Sequence, residues 1–377
     1  MSIEIREAVQ KKEVVQFIKF AWKIYRNDAE LNKYWVPPLI PDYVKTLDKR
    51  VYPLYEHADR ALFTAWKNGE MVGTIAAIEN RRHNEIHEDK IGFWGFFECI
   101  NDQSVAKALF DAAKNWLKQK GLNAMRGPIS PSMNDQCGML TKGYDSSPVF
   151  LMLYNPPYYN NLTLKYGHYL EQELVAWYVD QQNIDITRLR RIADLVMKRE
   201  KVNLRHVNMK DFNNEIKRIK FIYNAAWEKN WGFVPMTDKE FDVLADGFQQ
   251  VADPDFIYIV ENSAGEPVAF SLSLPDMNVP FKHVNGNPFT PWGIAKYFWY
   301  KRKIRMIRTI TMGVIPAYRN KGIDSIMNAE TVEVGIKKGI NASELSWVLK
   351  NNEPMMKLAK AIKAEPYKEY AIYQINF

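Results

Sequence analysis

Residues 59–78, DRALFTAWKNGEMVGTIAAI, and residues 255–274, DFIYIVENSAGEPVAFSLSL, carry one pattern twice: two apolar-rich runs joined by a glycine turn. Asp59 aligns with Asp255 and Gly69-Glu70 with Gly265-Glu266, in both cases at a separation of 196 residues. Asn68-Gly69 between such runs is a strong hairpin signal, because both residues accept the positive φ that a tight turn demands. Three more pairs keep nearly the same spacing: Ile5-Arg6 with Leu204-Arg205 at 199, Val36-Pro37 with Val234-Pro235 at 198, and Asn155-Pro156-Pro157 with Asn352-Glu353-Pro354 at 197. One match of this kind is common, but five in the same order within a drift of three residues point to a duplication. The expected organisation is a module at 1–181, a second at 202–377, and a linking helix in 182–201 whose Arg188, Arg190 and Arg191 form a solvated basic face.

Each module runs in the same order: an opening strand, an aromatic-rich helix (10–26 and 211–230), the hairpin, a strand, a long helix, a further strand, and a helix begun by Asn-x-Pro. In the first module the long helix covers 104–120 and is closed by Gly121. Interleaving of this kind predicts an α/β (α+β) fold in which each module is a mixed, mainly antiparallel sheet flanked by helices.

A length of 377 residues with 47% apolar content supports two well-cored domains. No uncharged stretch approaches the roughly 20 apolar residues that cross a bilayer. The start MSIEIREAVQKKEVV alternates charge with aliphatics instead of forming an export signal, so a cytoplasmic protein is expected. Cys99 and Cys137 are the only cysteines, which excludes a disulfide framework and argues against a cysteine metal cage. His83 and His87 lie four residues apart, but within ENRRHNEIHEDK a solvated loop is expected and no metal site is assigned. A formal charge of +7 and a pI near 9.0 favour anionic partners such as nucleotide cofactors, nucleic acid or acidic lipid.

In the second module the strand 309–314, TITMGV, runs into IPAYRNKGID and then into a helix ending near Gly339. A strand end, a turn and a helix N-terminus therefore meet, and together they offer main-chain N–H groups and a positive dipole end to a pyrophosphate. Val314, Pro316, Arg319 and Gly322 fall on the pattern Val-x-Pro-x-x-Arg-x-x-Gly-x-Gly/Ala, and in this the sequence resembles the GNAT superfamily of N-acyltransferases. The resemblance implies a splayed strand end whose free main-chain groups at Met312 and Val314, on either side of Gly313, pair with the pantetheine arm of acetyl-CoA or another acyl-CoA. It assigns the pyrophosphate to Arg319, Lys321, Gly322 and Ile323, and Asn352 to the family's Asn after a fifth strand at 345–349. The Val314 N–H is the expected donor to the developing oxyanion. The last motif position is Asp324 where the family has Gly or Ala, a carboxylate that repels a pyrophosphate unless it turns to cap the helix. Aligning Asn-x-x-Ala-x-x-Leu-Tyr puts Met355, Leu358 and Ala359 on the remaining positions, so the family's proton-donating Tyr is missing. Tyr367, Tyr370 and Tyr373 read as strand residues that pack aromatic surface.

The first module departs from that motif. Its strand IGFWGFFECI enters a helix through NDQSV, with no Arg, no Gly and Asp102 at the anion position, so CoA is expected in the second module alone. The inserted stretch RGPISPSMNDQCGMLTKGYD either shapes a substrate cleft or is a surface loop. Amine transfer needs a base, and Glu98 within its apolar strand is the candidate, since burial raises a carboxyl towards neutrality. The alternative for Glu98 is a structural carboxylate paired with a buried Arg such as Arg126. Asp135 and Asp276 are secondary loop candidates, and Cys137 reads as a packed small residue.

Residues 275–308 form an insertion ending WGIAKYFWYKRKIRMIR, in which Trp292, Ile294, Tyr297, Phe298, Trp299 and Tyr300 precede Lys301, Arg302, Lys303, Arg305 and Arg308. Through 292–308 such a helix can lie on an anionic membrane surface, grip a tRNA, or pack its rings on the core with charges outward, and the last is expected. The leading functional expectation is an acyl-CoA-dependent N-acyltransferase acting on an amine-bearing acceptor. Two alternatives stand beside it: an aminoacyl-tRNA-dependent transferase of the Fem type, which resembles paired GNAT modules, and a non-catalytic acyl-CoA or lipid-surface binding protein.

Overall fold

The computed structural model describes residues 2–228 and 230–377. They form two compact units, the first drawn from residues up to Val175 with 278–301 and 368–377, the second from 176–277 and 302–367. Two segments from the later half of the sequence, the insertion helices and the C-terminal strand, thus belong to the first unit.

In the first unit Ala58–Lys67 and Glu70–Asn80 form the expected hairpin, with Asn68 at φ 55° and Gly69 at φ 81°. The sheet runs Glu4–Glu7, Ala58–Lys67, Glu70–Asn80, Ile91–Cys99, Ala124–Gly127, and then the C-terminal strand, where Tyr373 faces Gly127 and Asn376 faces Ala124. The next neighbour is Tyr169–Asp180. The ladders are antiparallel apart from Ile91–Cys99 with Ala124–Gly127. The helix Gln103–Gln119 buries Val105, Leu109, Phe110, Ala113 and Leu117 at helical spacing against Ile75, Ala77, Trp94 and Met125 of the sheet. Each large apolar side chain so buried contributes about 1.5–3 kcal/mol. Gly121 at φ 78° follows the helix end, as expected.

Two expectations change in this unit. Residues Arg81–His87 are a helix rather than a solvated loop, and buried His83 sits with Nε2 3.3 Å from Asp89 while burial pushes its pKa down. Among the described residues no group of three or more His, Cys, Asp or Glu is placed to hold a metal ion. The insertion forms the helices Asn278–Val284 and Pro291–Lys301, but Trp292, Phe298 and Trp299 face solvent instead of packing on the core. Only part of the aromatic run turns inward, with Tyr297 ring to ring with Phe281 at 6.2 Å and Tyr300 with His283 at 3.5 Å.

In the second unit the sheet order is Val202–His206, Ile257–Asn262, Pro267–Pro275, Met306–Val314, Ala342–Leu349, then Tyr169–Asp180. The helix Ile323–Lys338 lies between Gly322 at φ 79° and Gly339 at φ 70°. It buries Ile323, Ile326 and Met327 against Val260 and Val268 of the sheet and Val196 of the helix Ile186–Glu200. Arg190 on that latter helix is not part of a solvated face: its Nε donates to Glu333 at 2.6 Å and its Nη2 to Glu330 at 2.8 Å. Among the described residues no helix is long and apolar enough to cross a membrane.

Candidate active site

Met306–Val314 and Ala342–Leu349 run parallel and pair from Met306/Ala342 to Thr309/Leu345, where the pairing stops although both strands continue. On its other edge Met306–Val314 stays bonded to Pro267–Pro275 as far as Val314/Ala269, and the Ile315 N–H donates to the Val268 carbonyl at 3.0 Å. Main-chain groups alternate between edges along an antiparallel strand. Ile315 and Gly313 therefore face Pro267–Pro275, while Met312 and Val314 turn their N–H and C=O groups towards the divergence. Gly313 is required for close approach, since a Cβ there would lie 2.4 Å from Cζ3 of Trp227.

The strand leads through the turn Pro316–Tyr318 into the N-terminus of Ile323–Lys338, where Gly322 supplies no side-chain cap. Asp324 instead turns its carboxylate back to its own N–H and that of Ser325; burial pushes its pKa up while these two donors pull it down. The carboxylate thus sits on donors that an anion at this terminus would use. Arg319 donates to the Val314 carbonyl at 3.3 Å and the Ala226 carbonyl at 2.8 Å, tying the strand end to the C-terminus of the helix Phe212–Trp227, where a cation complements the dipole. Lys321 lies 3.4 Å from Glu200 and 4.8 Å from the Tyr318 ring centre. Asn352 caps the helix Glu353–Ala361, its Oδ1 accepting from the Met355 N–H at 3.3 Å. Met312, Gly313 and Val314 thus stand at the strand end and Gly322, Ile323 and Asp324 at the helix N-terminus, with the Ile323 side chain buried in the core, while Arg319, Lys321 and Asn352 are engaged with protein groups.

A buried polar cluster at the parting of the strands has no counterpart in the sequence reading. Arg308 faces Glu344 in register and donates to Ser346 Oγ at 2.8 Å and to the Ser346 carbonyl at 3.1 Å. The Ser346 and Tyr367 hydroxyls both bond to the Glu344 carboxylate. Glu344 and Arg308 are buried, so Arg308 belongs to the interior rather than to the basic end of the insertion. Tyr367, expected to pack as an aromatic surface, uses its hydroxyl on Glu344; Tyr373 in the first unit donates to Asn160 at 2.7 Å. One charged residue inside each of two apolar strands, MIRTITMGV and ASELSWVL, is the signal that marks the pair.

The first unit holds the same divergence in a closed form. Ile91–Cys99 and Ala124–Gly127 pair in parallel from Ile91/Ala124 to Phe93/Arg126 and then part. Ile129-Ser130 of the inserted stretch fills the place: Ser130 Oγ accepts from the Phe96 N–H at 2.9 Å, and a Cβ on Gly95 would lie 2.0 Å from the Ile129 carbonyl oxygen. At the helix N-terminus Asp102 accepts from the Ser104 N–H at 2.9 Å and pairs with Lys67 at 2.9 Å; the Ser104 hydroxyl, then Lys67, hold its pKa down to about 2. Both parts of an acyl-CoA site, the strand edge and the anion pocket, are occupied here by the protein's own groups.

Glu98 lies beyond that divergence. Its carboxyl is buried, 2.6 Å from the Tyr159 hydroxyl and 3.5 Å from that of Tyr25, and burial pushes its pKa up to about 8 against these two donors. The alternative pairing with Arg126 is not what forms, because Arg126 donates to Gln374 at 2.9 Å and pairs with Glu171 at 3.1 Å. Asp135 accepts from Tyr52 and Ser132, each at 2.6 Å, Asp276 is buried, and Cys137 is buried as a small residue should be.

Two units, each with mixed strand pairing and a parallel strand pair that opens beside a helix N-terminus, make a tandem GNAT fold. Solved structures agree: the tandem GNAT protein from the clavulanic acid biosynthesis pathway matches with a TM-score of 0.57 at 10% identity, covering 100% of this chain and 98% of that one. A GCN5-related N-acetyltransferase from Sphaerobacter thermophilus matches with a TM-score of 0.52 at 11% identity, over 99% and 95% of the two chains. No protein-family model matches the sequence. Protein YghO of Escherichia coli (strain K12) is 32% identical over 377 residues, 98% of this chain and 94% of YghO, and the chain belongs to the family that contains it. The "Bacterial ceramide synthase" of Caulobacter vibrioides is 29% identical over 372 residues, 96% of this chain and 94% of its own length.

Proposed function

We propose that the chain is an acyl-CoA-dependent N-acyltransferase that binds its cosubstrate in the second unit, pantetheine along Met312 and Val314 and pyrophosphate at Gly322 and Ile323. The observation that carries this reading is a strand edge and helix N-terminus covered in one unit only by the side chains of Arg319 and Asp324, where the equivalent place in the other is plugged by the segment Ile129-Ser130. The amine lone pair attacks the thioester carbonyl, the Val314 N–H receives the oxyanion, and the thiolate departs as the amide forms. The ammonium proton passes to water or to a base. For the acceptor we propose the amino group of a long-chain aliphatic base. Its support is the Caulobacter relative's name, since a ceramide is an amide of a fatty acid with such an amine.

Calorimetry with acetyl-CoA and longer acyl-CoAs, followed by thiol release over a panel of short- and long-chain amines, tests both halves. Arg319→Ala and Gly322→Trp should each weaken binding at least about tenfold, the second because its φ of 79° and a Cβ 3.2 Å from Val196 leave no room for a ring. Unchanged affinity in both would remove the cosubstrate from this place. Tight tRNA association without CoA binding would instead support the Fem-type reading.

A further inference from the structure

The hairpin of Asn278–Val284 and Pro291–Lys301 has two unlike faces. Its inner face is fastened to the first unit. Phe281 and Val284 are buried, Phe281 meets Phe150 ring to ring at 5.7 Å, and the Ile40 N–H donates to the Gly286 carbonyl at 2.9 Å. Asn285 Oδ1 accepts from Trp22 Nε1 at 2.9 Å and from Arg26. The outer face is apolar: Phe289 is 73% exposed, Trp292 80%, Ile294 46%, Phe298 59% and Trp299 58%. Around the helix Ile294, Phe298, Ala295, Trp299 and Trp292 follow one another over about 160° of its circumference, one broad apolar stripe. Four aromatic rings at these exposures present roughly 500 Å² of apolar surface, large for a protein surface left in water.

The charge beside the stripe has a single sign. Between Asp276 and Asp324 the chain carries nine Lys and Arg and no Asp or Glu. Lys296 and Lys301 flank the stripe, and Arg302 and Lys303 follow it directly in the chain. At 1.5 Å per residue the helix is about 16 Å long, too short to span a bilayer but long enough to lie in its surface.

We propose that this stripe docks the protein on an anionic lipid surface, with Trp292, Phe298 and Trp299 at the boundary of headgroups and acyl chains and the flanking basic residues on lipid phosphates. Aromatic rings bordered by cations suit that interface. An RNA strand would need cations within the contact, and Ala295 inside the stripe and Ile294 at its edge stack on no base. A second copy meeting the same face about a two-fold axis would set like charges against each other. The docking stands whether or not the chain transfers acyl groups.

The test is co-sedimentation of the full chain with phosphatidylcholine vesicles, alone or containing about one quarter phosphatidylglycerol. The protein should sediment with the anionic vesicles, Trp292→Ser with Phe298→Ser should reduce this at least about tenfold, and Lys296→Glu with Lys301→Glu should reduce it on anionic vesicles. All four side chains are exposed, and an unchanged circular dichroism spectrum confirms folding. No sedimentation with either vesicle, or sedimentation undiminished in the Trp292/Phe298 variant, overturns the proposal. So does a tRNA gel shift, or a dimer seen by ultracentrifugation, that this variant abolishes while vesicles are not bound. Thiol release with a water-soluble amine, unchanged in these variants, separates a failure here from a failure of the acyltransferase reading.

Discussion

Replacing Glu98 by glutamine should leave stability almost unchanged at pH 5 and raise it, relative to the wild type, as the pH climbs to 8. The Glu98 carboxyl is fully buried, and desolvation lifts its pKa from 4.5 to about 8. A carboxyl raised in this way binds its proton more tightly folded than unfolded. The folded state therefore loses free energy as the pH rises past about 4.5, and the loss levels off only when the folded carboxyl itself ionises near 8. At 1.36 kcal/mol per pKa unit, the loss between pH 5 and pH 7 is about 2–3 kcal/mol. Glutamine has the shape of the neutral acid, its amide oxygen can accept from Tyr159, and its NH₂ can turn to Tyr25, so it carries the contacts without the titration. Thermal unfolding of both proteins from pH 5 to pH 8 should show the difference in Tm widening by about 5–10 °C. A difference that is the same at every pH refutes the reasoning, because it means that Glu98 titrates alike in folded and unfolded chains. The same variant separates two roles: a base near 8 would take the rising limb of the pH–rate profile with it, whereas a structural carboxyl would leave the rate intact.

Asp324→Ala restores a residue that the GNAT motif accepts and removes a charge from the helix terminus; at about 1.4 kcal/mol, CoA should bind about tenfold more tightly by calorimetry. Because burial raises the Asp324 carboxyl, wild-type affinity should also improve more steeply than the variant's as the pH falls into the acid range. In the first unit, Gly95→Ala drives a Cβ into the Ile129 carbonyl and should cost at least about 2–3 kcal/mol in urea unfolding, while Ser130→Ala should cost about 1–3 kcal/mol by leaving the Phe96 N–H without its acceptor.

What is legible in the sequence is local. The hairpin at Asn68-Gly69, the helices that end at Gly121 and Gly339, and the strand, turn and helix meeting between Val314 and Ile323 are all written in neighbouring residues, and each forms where that chemistry puts it. What is not legible is the choice of distant partner. The tyrosines on Glu98 stand 61 and 73 residues away, and nothing in the run IGFWGFFECI prefers them to Arg126. Periodicity aligns Trp292 with Trp299 and sets Phe298 about 100° round the helix from Trp299; it does not say whether another element covers them. Arg308 and Glu344 each look like an isolated charge in an apolar strand until the parallel register sets them opposite one another.

The duplicated divergence also explains why one module closes and the other stays available. Parting two parallel strands leaves main-chain donors and acceptors that must find partners. In the first unit the partner is the Ser130 hydroxyl, carried on a segment with its own support: Ile129 and Ser130 are paired with Cys137 and Gln136, so the plug as a whole cannot leave without breaking a strand pair. In the second the substitutes are side chains, Arg319 on the Val314 carbonyl and Asp324 on its own helix N–H groups. A side chain vacates its place by a rotamer change, at a cost far below that of unpairing a strand. A ligand offering acceptors to the helix end and an amide chain to the strand edge can therefore displace Arg319 and Asp324, whereas the corresponding ligand would have to unfold part of the first unit to enter it.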